Sequence, residues 1–347
     1  MAEPLVIALD AMGGDHGPDV VVPAAGISMI RHPNTRFLFV GDETRLRPLI
    51  AAEPPLAGKA DVLHTQLAVA MDEKPGQALM RGRGKSSMWL AIEAVKSGRA
   101  SVAVSAGNTG ALMAMAKVCL KMIPNVGRPA IAGIWPTVTS ECLVLDLGAN
   151  VGATKDQLIE FALMGAAMAR ALFDIERPKV GLLNIGIEDV KGLEELKDAH
   201  AILKGADLPF EYLGFVEGDK IGHGVADVVV TDGFTGNIAL KTAEGTARQM
   251  AAYLRDAMNR TLLSKVGGLL AAGAFRVLRD KMDPRRLNGG VFLGLDGLVI
   301  KSHGGTDRLG FASAIDLGYD LASANLSERI ASDLALYRKA TASTIAS

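Results

Sequence analysis

The sequence predicts an α/β fold with a mainly parallel sheet covered on both faces by helices. Three observations predict it. Short apolar, β-rich runs alternate with longer helical patterns along almost the whole chain, and such alternation implies parallel strands joined by right-handed crossovers. Several of the runs end in glycine-rich polar loops. Glycine is abundant, at 39 of 347 residues, whereas aromatic residues make up only 5%. That mix suits many tight strand-to-helix turns.

The expected strands are residues 6–9, 37–40, 62–64, 102–105, 142–146, 180–185, 228–231 and 298–302. The expected helices are residues 19–30, 87–96, 109–122, 155–172, 193–203, 237–259 and 307–336. Residues 1–339 read as a single α/β domain, and 340–347 as a frayed tail. From Arg248 to Arg286 the pattern differs. A long helix, a break at Gly267-Gly268 and a second helix to about Met282 suggest a helical hairpin projecting from the body. This stretch holds nine Lys or Arg against three Asp.

Composition excludes several function classes. Formal net charge is −1, so no global field attracts nucleic acid or an anionic membrane. Two cysteines, Cys119 and Cys142, lie in apolar runs and read as core residues of a cytoplasmic protein. No apolar run is long enough to span a bilayer, and no secretory leader is expected. The P-loop signature, the dinucleotide Gly-x-Gly-x-x-Gly after the first strand, the nucleophile elbow and zinc-type spacings are all missing. No metal and no cofactor are therefore expected.

The first strand breaks into Asp10-Ala-Met-Gly-Gly-Asp-His-Gly-Pro18. In this loop Gly13, Gly14 and Gly17 allow close backbone approach or positive φ, and Pro18 can open a helix. Further loops follow later strands: Ala106-Gly-Asn-Thr-Gly110, Asp146-Leu-Gly-Ala-Asn150, Asn184 to Gly192, and Thr231 to Asn237. In a parallel sheet all of them would lie on one rim, where α/β proteins place their ligands. Their backbone N–H groups and the following helix N-termini suit an anion. Lys191, after Glu188 and Asp189, could neutralise a phosphate or a developing oxyanion, or could be a surface salt bridge. His16 could act as a base, donate to an anion, or simply order its loop. Arg81, Arg83 and Lys85 form a basic cluster before a Ser86-Ser87 helix cap. They could hold an acidic partner or form only a solvated turn.

Taken together, these loops resemble the bacterial phosphate acyltransferases that make acyl phosphate for phospholipid synthesis. The matching strings are Leu9 to Pro18, Ser105-Ala-Gly-Asn-Thr-Gly-Ala-Leu-Met113, Leu145 to Asn150, Leu182-Leu-Asn-Ile-Gly186, Asp227 to Asn237 and Ile300-Lys-Ser-His-Gly304. They cover nearly the whole chain, in order. The resemblance implies a three-layer α/β/α sandwich related to isopropylmalate dehydrogenases and phosphotransacetylases. It also implies transfer of a long-chain acyl group from acyl carrier protein to inorganic phosphate. The acyl phosphate would feed a downstream glycerol-3-phosphate acyltransferase. A homodimer, peripherally associated with the inner face of the plasma membrane, is implied as well.

The same resemblance points to Lys191 and Asn237 as catalytic. Position 187, an isoleucine here, departs from the usual loop. Phosphate and thioester would be bound by Asp10, Gly13, Gly14, Asp15, His16, Gly107, Asn108, Thr109, Asn150, Asn184, Asp232, Thr235, Lys301 and His303. Phosphate is a weak anionic nucleophile that must be held and aimed. A thiolate leaving group needs little acid help, so direct attack without an acyl-enzyme is expected. Leu262, Leu263, Leu269 and Leu270 around the hairpin tip fit an interfacial membrane contact or a dimer seam. The carrier protein would dock on the basic residues of the hairpin or on Arg81, Arg83 and Lys85. Three other readings compete: a phosphotransacetylase-like enzyme using acyl-CoA, an NAD-dependent decarboxylating dehydrogenase, and a non-catalytic membrane scaffold.

Overall fold

The computed structural model describes residues 4–124, 126–281, 283, 285 and 288–345. Met282 and Arg286, which bound the expected hairpin, lie outside the described residues.

Among the described residues, eleven strands form one sheet. They are β1 (Leu5–Asp10), β2 (Thr35–Gly41), β3 (Ala60–His64), β4 (Val102–Ser105), β5 (Ala130–Pro136), β6 (Glu141–Leu145), β7 (Lys179–Asn184), β8 (Glu211–Glu217), β9 (Val228–Val230), β10 (Gly290–Leu293) and β11 (Leu298–Lys301). The spatial order is β3-β2-β1-β4-β11-β10-β5-β6-β9-β7-β8. Side chains alternate between two cores, as a strand buried on both faces requires. Ile7 and Leu9 enter one core and Ala8 the other; Leu143 and Leu145 enter the first, Cys142 and Val144 the second.

One helical layer contains α1 (Pro18–Arg31), α6 (Lys155–Phe173), α7 (Glu194–Gly205), α12 (Arg308–Ser323) and α13 (Leu326–Ile345). The other contains α3 (Pro75–Gly82), α4 (Ser87–Lys96) and α5 (Thr109–Leu120). Two short elements, α2 (Glu43–Ala51) and α8 (Gly218–Ile221), close loops beside β3 and β8. The three-layer sandwich expected from the family resemblance is what forms. Both cysteines are buried and unpaired, and burial pushes the Cys142 thiol up to about 12.

Four local expectations are corrected. Strands β5, β8 and β10 were not expected. The first contains Gly133 and ends at Pro136, β10 is only four residues long, and β8 is an edge strand. The expected helix 307–336 is two helices, because Asn325 between them takes a left-handed φ of 53°. The chain is helical to Ile345, so the last helix runs through most of the segment expected to fray. The arm after β9 consists of α9 (Gly233–Asn259), α10 (Leu262–Leu270) and α11 (Ala272–Lys281). It turns at residues 260–261 and at Ala271, with Gly267-Gly268 inside α10. Thr261 starts α10 by accepting from Ser264 N at 3.0 Å. A Cβ on Gly268 would sit 2.5 Å from Met258 Cε, so that glycine serves close packing of α10 on α9. Among the described residues no helix is long and apolar enough to cross a membrane.

The sheet also changes sense part-way across. The strands β1 to β4 and β11 run parallel to one another, and β6, β9, β7 and β8 run parallel to one another. Between them β11 pairs antiparallel with β10, β10 with β5, and β5 with β6. Three reversals leave the two blocks pointing in opposite directions.

Candidate active site

That reversal divides the glycine-rich loops. Those following β1, β4 and β11 leave one end of the strands, and those following β6, β7 and β9 leave the other. The single rim expected from sequence is therefore two, because antiparallel β5 and β10 went unrecognised.

At the first end, three adjacent parallel strands finish side by side. Leu9 pairs with Val104, and Lys301 with Ser105. This register sets Asp10, Ser105 and Lys301 in a row. Asp10 is buried, and its Oδ2 accepts from Ser105 Oγ at 2.6 Å. Ser105 Oγ in turn accepts from Gly107 N at 3.0 Å. Asp10 Oδ1 is buried without a hydrogen-bond partner. The Lys301 ammonium donates to Ala106 O at 3.4 Å and to Ser302 O. Asp15 N donates to Gly304 O at 3.0 Å, joining the loop after β1 to the loop after β11.

Gly13 is required by close approach. A Cβ there would lie 2.5 Å from Asp10 Oδ2 and 2.9 Å from Gly107 N. Gly14 takes a φ of 84°. Thr109 opens α5, whose N-cap Asn108 accepts from Ala111 N at 3.0 Å. The Asn108 amide also donates to Met71 O and Glu73 O, so this side chain braces the loop. A cleft of about 440 Å³ beside this group is lined by Met12, Asp15, His16, Asp19 and Arg45. Asp15 and His16 are exposed there.

Electrostatics single out the same row. Burial pushes the Asp10 carboxyl above the usual range, opposed by the Ser105 hydrogen bond. Burial brings Lys301 down to about 8, opposed by the charges of Asp10 and Asp15. Desolvation lowers His303; Glu244 of α9 opposes this, while Lys301 and Lys241 add to it. The third and fourth turns of α9, which carry Lys241 and Glu244, therefore reach toward this end of the sheet. Asn288 donates to Ser302 Oγ at 2.8 Å and accepts from His303 N at 3.1 Å.

At the second end, Asp146 organises its loop. Its Oδ1 accepts from the backbone of Ile131, Gly148 and Ala149, and its Oδ2 accepts from Asn150 N and Nδ2, both at 2.8 Å. Asp232 caps α9 through Phe234 N and Thr235 N, and Thr235 Oγ1 donates back to it at 2.6 Å. Asn237 Nδ2 donates to Leu147 O at 3.1 Å. The Asn184 amide donates to Lys191 O at 3.0 Å. Lys191 Nζ is half-exposed, 2.9 Å from Glu188 Oε1. Ile185, Ile187, Val190 and Leu193 around it are exposed.

The structure thus brings Asp10, Gly13, Gly14, Asp15, His16, Gly107, Asn108, Thr109, Lys301 and His303 to one end. Asn150, Asn184, Lys191, Asp232, Thr235 and Asn237 are at the other. Ser105 and Asp146 were not singled out from sequence; each is a buried polar residue where an apolar strand meets a glycine loop. The basic cluster is less available than expected. Arg81 pairs with Glu73 at 2.6 Å and donates to Ala68 O, while the Arg83 guanidinium lies 5.8 Å from the Trp89 ring centroid. Leu262, Leu263, Leu269 and Leu270 on α10 are exposed. Among the described residues no three His, Cys, Asp or Glu side chains converge as a metal site.

Residues 5–329 match the family described as fatty acid synthesis protein. A phosphate acyltransferase of Azorhizobium caulinodans is 61% identical over 331 residues, covering 95% of this chain and 93% of the relative. One from Afipia carboxidovorans is also 61% identical, covering 95% and 94%. A phosphotransacetylase structure from Streptococcus pyogenes superposes with a TM-score of 0.64 at 16% identity, covering 93% of this chain and 95% of that one. At that identity the likeness concerns the fold alone.

Proposed function

From the premise that the chain belongs to the fatty acid synthesis protein family and is an acyltransferase acting with phosphate, we propose that its donor is long-chain acyl carrier protein and its product acyl phosphate. The observation that carries this reading is the row Asp10–Ser105–Lys301 at the ends of three neighbouring strands. A partly buried ammonium, the N-termini of α1 and α5 and the glycine-loop amides together suit a phosphate stripped of water. Burial that raises Asp10 reduces its repulsion of that anion.

A phosphate oxygen attacks the thioester carbonyl carbon, the tetrahedral oxyanion forms, and the C–S bond breaks. The thiolate leaves and takes up the proton that phosphate released. No acyl-enzyme is needed, so a covalent acyl intermediate in rapid-quench experiments would refute direct attack. Lys191 and Asn237 supply the oxyanion contacts. Within one chain they follow strands of the opposite sense, and in the homodimer of this reading one copy's second group of loops serves the other copy's first. Mixing inactive Lys301→Met and Lys191→Ala proteins would then restore up to about a quarter of wild-type activity through mixed dimers; no restoration would refute the shared arrangement. The exposed apolar residues around Lys191 suit contact with a second copy or an acyl chain.

The exposed leucines of α10 hold the enzyme peripherally on the inner face of the plasma membrane, where a downstream glycerol-3-phosphate acyltransferase consumes the product. The deciding experiment is phosphate-dependent release of carrier-protein thiol from acyl carrier protein. Equal or faster release from acyl-CoA would favour the phosphotransacetylase-like alternative, which shares the fold.

A further inference from the structure

The loop after β7 carries Lys191 and is anchored at two places. At its base, Asn184 donates to Lys191 O at 3.0 Å and accepts from Ile185 N at 2.9 Å. At its middle, Asp189 meets two side chains from α7. Lys204 Nζ lies 3.1 Å from Asp189 Oδ2, and His200 Nε2 lies 3.3 Å from Asp189 Oδ1. Positions 200 and 204 are four apart, so one helix face offers both groups to the same carboxylate.

His200 is only 7% exposed. Its ring stacks on Phe215, with centroids 4.5 Å apart, and its Nδ1 is 2.8 Å from the Tyr212 hydroxyl of β8. Burial keeps Tyr212 a neutral phenol. With the phenol donating to Nδ1, the ring proton sits on Nε2. That nitrogen is buried and makes no hydrogen bond; the Asp189 carboxylate, 3.3 Å from it, is its available acceptor. The acyl-transfer chemistry above uses none of Tyr212, His200 or Asp189.

We propose that Tyr212, His200 and Asp189 form a latch between the sheet and the loop after β7, with His200 as a positioning residue that sets where Lys191 stands. Tyr212 fixes the imidazole tautomer, and Nε2–H then holds Asp189, two residues before Lys191. The inference rests on the reading of Lys191 as a catalytic group.

The test uses the full-length protein with two readouts: hydrogen exchange at the bonded amides of Ile185 and Lys191, and turnover of acyl carrier protein with phosphate. Asp189→Ala alters an exposed side chain and should not impair folding. His200→Phe keeps the stack on Phe215 and removes the donor. His200→Gln returns an N–H near the Nε2 position. Both Asp189→Ala and His200→Phe should speed exchange about tenfold and slow turnover about tenfold, with the double variant no worse than either single one. His200→Gln should recover most of both. Unchanged exchange in both single variants, or additive losses in the double variant, would overturn the latch. If Lys191→Ala alone keeps full turnover, the catalytic reading of Lys191 fails instead, and the exchange data still judge the latch.

Discussion

Replacing Lys301 with Met should separate function from stability. Lys301 ends β11 with its ammonium among Ala106 O, Ser302 O and the charges of Asp10 and Asp15. Its pKa falls from 10.5 to about 8 because burial disfavours the charged form. A folded value below the unfolded one means that the charge opposes folding. That cost is fully present below about pH 8 and disappears as pH rises through 10.5. At about 1.4 kcal/mol per pH unit, it amounts to roughly 3 kcal/mol at neutral pH. Methionine removes it but leaves two carbonyls short of a donor, at about 1 kcal/mol each. The variant should therefore be as stable as wild type or more so by about 1 kcal/mol, while phosphate-dependent turnover falls about a hundredfold or more. Urea unfolding at two pH values checks the cause. Between about pH 7.5 and pH 10 the wild type should gain about 2 kcal/mol relative to Lys301→Met, as its lysine sheds the opposed proton. A pH-independent stability difference would refute the buried-cation argument. Unchanged turnover would remove Lys301 from the phosphate site.

Three further outcomes follow from the geometry. Gly13→Ala should destabilise by about 1–3 kcal/mol in thermal or urea melts and abolish turnover, because its Cβ meets the Gly107 backbone and a carboxylate that Ser105 holds in place. Lys191→Ala should lower turnover well over tenfold with an unchanged melting temperature, since its ion pair with Glu188 is exposed; steady-state kinetics and calorimetry would check this. Asp in place of Leu262, Leu269 or Leu270 should abolish liposome flotation while sparing turnover of soluble substrate, because these side chains are exposed on α10.

The division between sequence and tertiary structure is clear in particular elements. Strand β4 and helix α4 have the expected bounds, because a short buried apolar run and a Ser86-capped helix are local patterns. The glycine loops were legible for the same reason: a strand that stops at Asp, Ser or Asn before glycine announces a ligand-facing turn. Locally legible too were the uncapped Gly267-Gly268 pair and the charge of Lys191, but their consequences were not. Gly267-Gly268 lies inside α10 instead of breaking the helix, and Gly268 leaves room for Met258 of α9. Asn108 and Asn150 look like ligand-binding residues in sequence, yet their amides donate to Met71 O and Pro129 O, backbone groups brought to them by the fold.

By itself, the sequence determined the α/β class, the two-faced core, the family and the set of polar loops, all of which depend on neighbours along the chain. Only the tertiary structure decided that these loops form two groups. Strand direction depends on pairings between distant segments, and β10 is recruited from more than 150 residues beyond β5 to reverse the sheet. The same long-range register set Lys301 beside Ser105 and Asp10, and burial then lowered its pKa, a change that no local pattern in Ile300-Lys301-Ser302 discloses.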